Sequence, residues 1–159
     1  MNDKEHPVEE QKMTHKELVE QAAKQLKRWH CRPICTEMMF ASNTCEIPDT
    51  VGWLSRASIM FECKASRTDF LRDKHKPFRI CKISGVGDFR FYLTNPDVIK
   101  STDEIPNGWG VYEVINGKIE YKFGTRYTNA CTPPFMGNKT EEVSMLYSWI
   151  RRHYKQLSD

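Results

Sequence analysis

The sequence predicts a single α/β domain with a mixed central sheet flanked by helices, on three observations. Helical periodicity opens and closes the chain, two nearly continuous apolar runs occupy residues 48–54 and 58–65, and a second set of strand-like segments follows a polar helix. Read in order, the elements run α-β-β-β-α-β-β-β-α. At 159 residues the chain is long enough for one domain with a genuine core and too short to suggest two.

The leader 1–12 is charged, polar and broken by Pro7, so the domain is expected over 13–159. THKELVEQAAKQLKRWH carries Thr14 as N-cap with Glu17 three residues on, the pattern of a capping box, and Leu18, Ala22, Leu26 and Trp29 recur at helical spacing. Pro33 bars continuation, and RPICTEMMF reads as a first strand. The two apolar runs suit central strands covered on both faces. SRTDFLRDKHKPFRICK opens a second helix at Ser66, anchored by Phe70 and Leu71, which Pro77 ends or kinks. DFRFYLTN is a fourth strand. Beyond a Pro/Asp/Asn-rich connection, Asn116-Gly117 between two alternating runs signals a hairpin with a type I′ turn. TEEVSMLYSWIRRHYKQL closes the chain as a helix whose Val143, Leu146, Tyr147 and Ile150 form an apolar stripe.

Composition narrows the class. Apolar residues make up 39% and charged residues 28%, as in a globular protein, and no apolar run approaches the roughly 20 residues of a membrane span. MNDKEHPVEEQK has no apolar core of a secretory signal, so a cytoplasmic protein without membrane association is expected. A net charge of +3 permits nucleic-acid binding without requiring it. The six cysteines lack paired C-x2-C knuckles and read as free, mostly buried thiols. Cys31, Cys35 and Cys45 are the nearest approach to a zinc pattern and define a competing reading, a small zinc-stabilised interaction protein.

The chemistry concentrates at Asp49, Glu62 and Lys64. Residues two apart on a strand project from the same face, so Glu62 and Lys64 point together. If the two apolar strands form a hairpin, direct opposition of Asp49 and Glu62 centres the connection between Ser55 and Arg56. Neither is Gly or Asn, so a four-residue loop is expected. Two carboxylates side by side on an apolar hairpin require a compensating cation. Mg²⁺, or Mn²⁺, held by one or two carboxylates plus water and a phosphate oxygen meets that need, and a neighbouring lysine offsets charge at a hydrolysed phosphodiester. The plainer reading is a loop aspartate after Pro48 and a surface Glu62–Lys64 pair.

PDTVGWLSRASIMFECKASRTDFLRDKHKPFR resembles a PD-(D/E)XK nuclease-like family of bacterial and phage proteins, with a PD-x-[IV]-G strand followed by E-x-K-x-S-x-x-D-F-x-x-D-x-K; the MmcB-like DNA-repair proteins are similar. FRFYLTNPDVIKSTDEIPNGWGVYEV resembles the later part of the same group, so the likeness spans about residues 14–155. It implies a restriction-endonuclease-like fold, Mg²⁺ or Mn²⁺ as cofactor, and DNA as partner in phage or mobile-element DNA processing or repair. RNA and a homodimer are compatible with it. Asp49 and Glu62 would be the metal-binding acids and Lys64 the catalytic lysine. A further metal-binding glutamate would be Glu20, on the first helix, or Glu37, on the first strand, each of which also reads as a solvated residue. Ser66, Arg67 and Asp69 would support the site, although Ser66 also caps the helix and Asp69 suits a helix N-terminus. Arg67, Arg72, Lys74, Lys76 and Arg79 gather basic charge for DNA phosphates, or simply form a solvated helix face. The same fold retained for binding without turnover is the alternative to a nuclease.

Overall fold

The computed structural model describes residues 12–38, 46–76, 79 and 84–154. Helix α1, His15–Arg28, begins at the expected capping box: Thr14 accepts from the Glu17 N–H, and Glu17 accepts in return from the Thr14 N–H at 2.7 Å. Strands β1 (Ile34–Thr36), β2 (Thr50–Trp53) and β3 (Ser58–Lys64) follow, then helix α2 (Arg67–Asp73) and strand β4 (Phe89–Thr94). A 3₁₀ turn at Thr102–Glu104 interrupts the connection to β5 (Gly110–Ile115), which pairs with β6 (Lys118–Gly124); helix α3 spans Lys139–Tyr154. Of the leader, all but Lys12 lies outside the described residues, as do Cys45, Pro77 and Cys81.

The six strands form one mixed sheet in the order β1-β2-β3-β4-β5-β6. β1, β2 and β3 are antiparallel, β4 and β5 continue parallel to β3, and β6 returns antiparallel. The element order is therefore the one the sequence predicts. Thr50 lies opposite Phe61 and Trp53 opposite Ser58, so the β2–β3 hairpin has the anticipated register. Its loop occupies 54–57, closed by the Leu54 N–H on the Ala57 carbonyl at 2.8 Å. Asn116 (φ 49°) and Gly117 (φ 74°) make the turn between β5 and β6, as their left-handed tolerance requires. β1 is shorter than the segment expected to form it.

Alternation on β3 divides the core. Ile59, Phe61 and Cys63 face α1 and pack with its Leu18, Val19, Ala22 and Leu26. Full burial of each large aliphatic side chain contributes about 1.5–3 kcal/mol. Trp29, at the end of α1, stacks on Phe61 with ring centroids 5.7 Å apart. On the other face Met60, Tyr92, Val111 and Trp109 meet Phe70 of α2 and Met145 of α3. Leu71, expected as a second anchor of α2, is exposed.

Helix α3 corrects the stripe reading: Val143, Tyr147 and Ile150 are exposed, and Glu141, Glu142 and Met145 are buried. A polar key sets this rotation. Glu142 accepts from Ser58 Oγ at 2.7 Å, Trp53 Nε1 at 3.2 Å and the Gly87 N–H at 3.0 Å. Asp88 joins it by binding the Ser58 N–H, the Gly137 N–H and Lys139 Nζ. Burial pushes the Asp88 carboxyl up, but Lys139 and these N–H donors outweigh it and hold the group below its ordinary value.

Gly52 of β2 lies tightly against Leu26 of α1 and Cys31 just beyond it. A Cβ there would stand 2.7 Å from Cys31 Cβ and 3.2 Å from Leu26 Cδ1. Gly52→Ala is therefore expected to cost about 1–3 kcal/mol, read as a lower urea midpoint with unchanged m-value. Asp88 stabilises the fold fully above about pH 3.8, and its contribution is lost as the pH falls through its depressed native value. Asp88→Asn should flatten that acid limb in a pH series of melting temperatures.

A candidate metal centre at the end of the sheet

Glu62 and Lys64 share one face of β3, and both are buried, at 3% and 5% exposure. Asp49 immediately precedes β2. Extending the pair Thr50–Phe61 by one step sets it opposite Glu62. Its Oδ2 accepts from the Cys63 N–H at 2.6 Å, which leaves Oδ1 turned toward α1. The three predicted residues thus converge at one end of the sheet. Burial pushes the Asp49 carboxyl up to about 7, and the Glu62 charge adds to it; the Cys63 N–H, His15 and Lys64 pull the other way.

Lys64 is held within an ion network. Its Nζ lies 2.9 Å from Glu62, 3.4 Å from Asp73 and 4.0 Å from Asp69. Burial alone would lower its pKa, but Glu62 and Asp73 more than offset that and raise it, so the ammonium stays charged. Arg79, 1% exposed, supplies the second internal cation. It reaches Glu46 at 2.6 Å, Asp73 at 2.7 Å and Glu62 Oε2 at 2.6 Å, the last an ion pair without hydrogen-bond geometry. Its guanidinium also lies over the Trp109 ring, 5.6 Å from the centroid. Tyr92 sits directly beside Glu62 in the β3–β4 register, and its buried hydroxyl has no hydrogen-bond partner.

The supporting residues divide. Ser66 caps α2 by accepting from the Asp69 N–H at 3.3 Å, and Asp69 faces Lys64 with its carboxylate half exposed. Arg67 turns away from the site. It forms a forked pair with Glu104 and donates to the Val98 carbonyl at 2.9 Å, tying α2 to the β4–β5 connection. Arg67, followed by the Lys100 N–H, holds the Glu104 carboxyl down to about 2.

Among the cations assigned to DNA, Arg79 is corrected: it is a buried counter-ion with no surface to offer. Arg67 is committed to Glu104, and Lys76 pairs with Asp73 at 2.8 Å. Arg72 and Lys74 remain at or near the surface of α2.

Of the two glutamates, Glu37 joins the site and Glu20 lies exposed outside it. Glu37 adopts φ 43° just after β1, its N–H on the Asp49 carbonyl at 2.9 Å. His15, which the sequence reading passed over, completes the group. Its Nε2 is 3.2 Å from Glu37 Oε1 and 3.5 Å from Asp49 Oδ1. One ligand atom from each of these residues lies within 4.8 Å of the others, a spacing that suits one ion. No local sequence signal marked His15, because the start of α1 is brought to the end of β3 by the Asn95 contacts to Met13 and Ala65.

Among the described residues no cysteine joins a comparable group of possible ligands. Cys31, Cys35 and Cys63 are free and buried, and burial pushes the first two up to about 11 and about 12. Cys45, the third member of that reading, lies outside the described residues.

Arg79→Ala would leave Glu46, Asp73 and Glu62 buried without their main counter-charge. The expected loss is about 3–5 kcal/mol, measured by chemical denaturation. Arg67→Ala, at a half-exposed pair, should cost much less.

No family model matches the chain, and no curated protein matches it. In the described residues no helix is long and apolar enough to cross a membrane. Among solved structures, the chain is similar to the SPO1766 protein of unknown function from Silicibacter pomeroyi, at 19% identity and a TM-score of 0.57, covering 96% of this chain and 94% of that one. At that identity the likeness concerns the fold.

Proposed function

We propose that the chain is a metal-dependent nuclease that hydrolyses DNA phosphodiester bonds. The observation that supports this best is a charged lysine beside two opposed carboxylates at a sheet end that opens to solvent. Glu62 and Lys64 are interior, whereas His15, Glu37 and Asp69 form a half-exposed rim. A substrate phosphate approaching that rim meets Asp49 and then Lys64.

A bound Mg²⁺ or Mn²⁺ would polarise the phosphoryl group and acidify a coordinated water. Asp49, with Oδ2 fixed by the Cys63 N–H, presents Oδ1 in a set direction. Lys64 stays charged and counters negative charge that grows on the phosphoryl oxygens. Its anchoring by Glu62 and Asp73 limits its motion, and water is largely excluded around it. Arg72 and Lys74 suit contacts to the nucleic-acid backbone rather than to bases.

A second reading has its own support. Both Glu62 oxygens face cations, Lys64 and Arg79, which is also how an ion network closed for stability is built. On that reading the domain binds nucleic acid or a protein partner without turnover.

Purified protein with Mg²⁺ or Mn²⁺ is expected to cut duplex or single-stranded DNA, with RNA run in parallel. Asp49→Asn should lower the rate by about 10²-fold or more with its circular dichroism unchanged. Cleavage at the wild-type rate in that variant would sink the assignment; binding with no cleavage in either metal would select the second reading. Arg72→Ala and Lys74→Ala should each reduce the salt dependence of DNA binding by about one unit of log–log slope, as measured by fluorescence anisotropy.

A further inference from the structure

We propose that His15, Glu37 and Asp49 form the primary cation site of this chain, and that it prefers a transition ion of the Mn²⁺ or Co²⁺ class to Mg²⁺. The inference deepens the reading above by moving the ion away from the Asp49–Glu62 pair. It rests on that reading only in placing a cation at this end of the sheet.

Three elements build the site separately. Met13 and Asn95 exchange two hydrogen bonds, Met13 N–H to Asn95 Oδ1 and Asn95 Nδ2 to the Met13 carbonyl, both 2.8 Å. Asn95 also donates to the Ala65 carbonyl at 2.9 Å, so the start of α1 is fastened to the strand end. His15 sits one residue past the cap of that helix and aims Nε2 at both carboxylates. Glu37 is set by its left-handed backbone and its N–H on the Asp49 carbonyl. Asp49 has one oxygen pinned to the Cys63 N–H and the other toward His15.

Glu62 adds negative charge behind the site but already has its own counter-ions, Lys64 at 2.9 Å and Arg79 at 2.6 Å. It is 3% exposed, and its charge acts on Asp49. Direct coordination by Glu62 would disturb its contacts to Lys64 and Arg79, and such buried pairs are costly to break. Glu62 therefore acts as a nearby negative charge, and the ligands come from the solvent side.

The donor set decides the class of ion. Mg²⁺ favours oxygen ligands and retained water, whereas an imidazole nitrogen suits later transition ions, with Mn²⁺ accepting both. One imidazole and two carboxylates leave further positions open for water or a phosphate oxygen. The plain competitor is an imidazolium that bridges Glu37 and Asp49 and needs no ion.

The test uses the full chain, stripped with a chelator and without nucleic acid. Mn²⁺ binding is followed by electron paramagnetic resonance and calorimetry, with Co²⁺ and Mg²⁺ as competitors. The wild type is expected to bind one Mn²⁺ at least about tenfold more tightly than Mg²⁺, and His15→Ala or Glu37→Gln to weaken Mn²⁺ by about tenfold or more. Glu20→Gln should leave the affinity unchanged. In the wild type, Mn²⁺ should also broaden the His15 imidazole resonances, a readout that needs no variant to fold. Unchanged Mn²⁺ affinity in a folded His15→Ala, preference for Mg²⁺, or His15 resonances that titrate without broadening would each overturn the proposal. Mn²⁺ bound at His15 in a protein that cuts no nucleic acid would uphold the site and overturn the nuclease reading alone.

Discussion

The guanidinium of Arg79 is the charge on which this end of the molecule depends. Glu46, Asp73 and Glu62 are all buried beside it, and each would pay heavily for desolvation as an isolated anion. Burial in fact pushes the Glu46 carboxyl up even with Arg79 alongside. With Arg79 in place, Asp73 is held well below the ordinary carboxylate range. Burial opposes that shift, and the bonds from Arg79, with the charge of Lys64, outweigh it. Lys64 then has two fixed anions to lean on and stays charged inside the protein. A residue that looks like a surface cation is thus the reason a lysine can sit behind Asp49.

β3 carries polar chemistry at both ends and apolar packing between. At its start, Ser58 meets Asp88 and Glu142, which dock α3 and the 84–88 segment. At its end, Glu62 and Lys64 meet Asp49, Asp73 and Arg79. The two clusters do different work. In the first, each carboxylate oxygen is met by an N–H, a hydroxyl or Lys139, as suits a fastening. In the second, carboxylates outnumber the cations among the described residues, and several polar atoms near it (Glu62 Oε2, the Tyr92 hydroxyl, Thr94 Oγ1) lack hydrogen-bond partners. An unsatisfied buried polar group is costly.

Much of the architecture could be read from local pattern. The capping box at Thr14, the Asn116-Gly117 turn and the period-2 and period-3.6 runs each act over a few residues, so the element order followed from them. The hairpin register was also legible, because the loop at 54–57 and the opposition of Asp49 to Glu62 are linked by simple counting along two strands. Asp49, Glu62 and Lys64 were therefore found without tertiary information. Leu71 and the α3 stripe misled for one reason: apolar spacing identifies a face but not whether anything covers it.

By itself, then, the sequence determined the order of elements, the β2–β3 register and the three residues that share a strand end. Tertiary structure decided which charges stay outside. Arg79 and Arg72 look alike in sequence, yet one is enclosed by three carboxylates from 46, 62 and 73, and the other remains exposed. It also chose Glu37 over Glu20 and added His15, because the start of α1 is brought to the sheet end by Asn95, some eighty residues away. Ion pairs and ligand sets are made by distance in space, and no local periodicity records them.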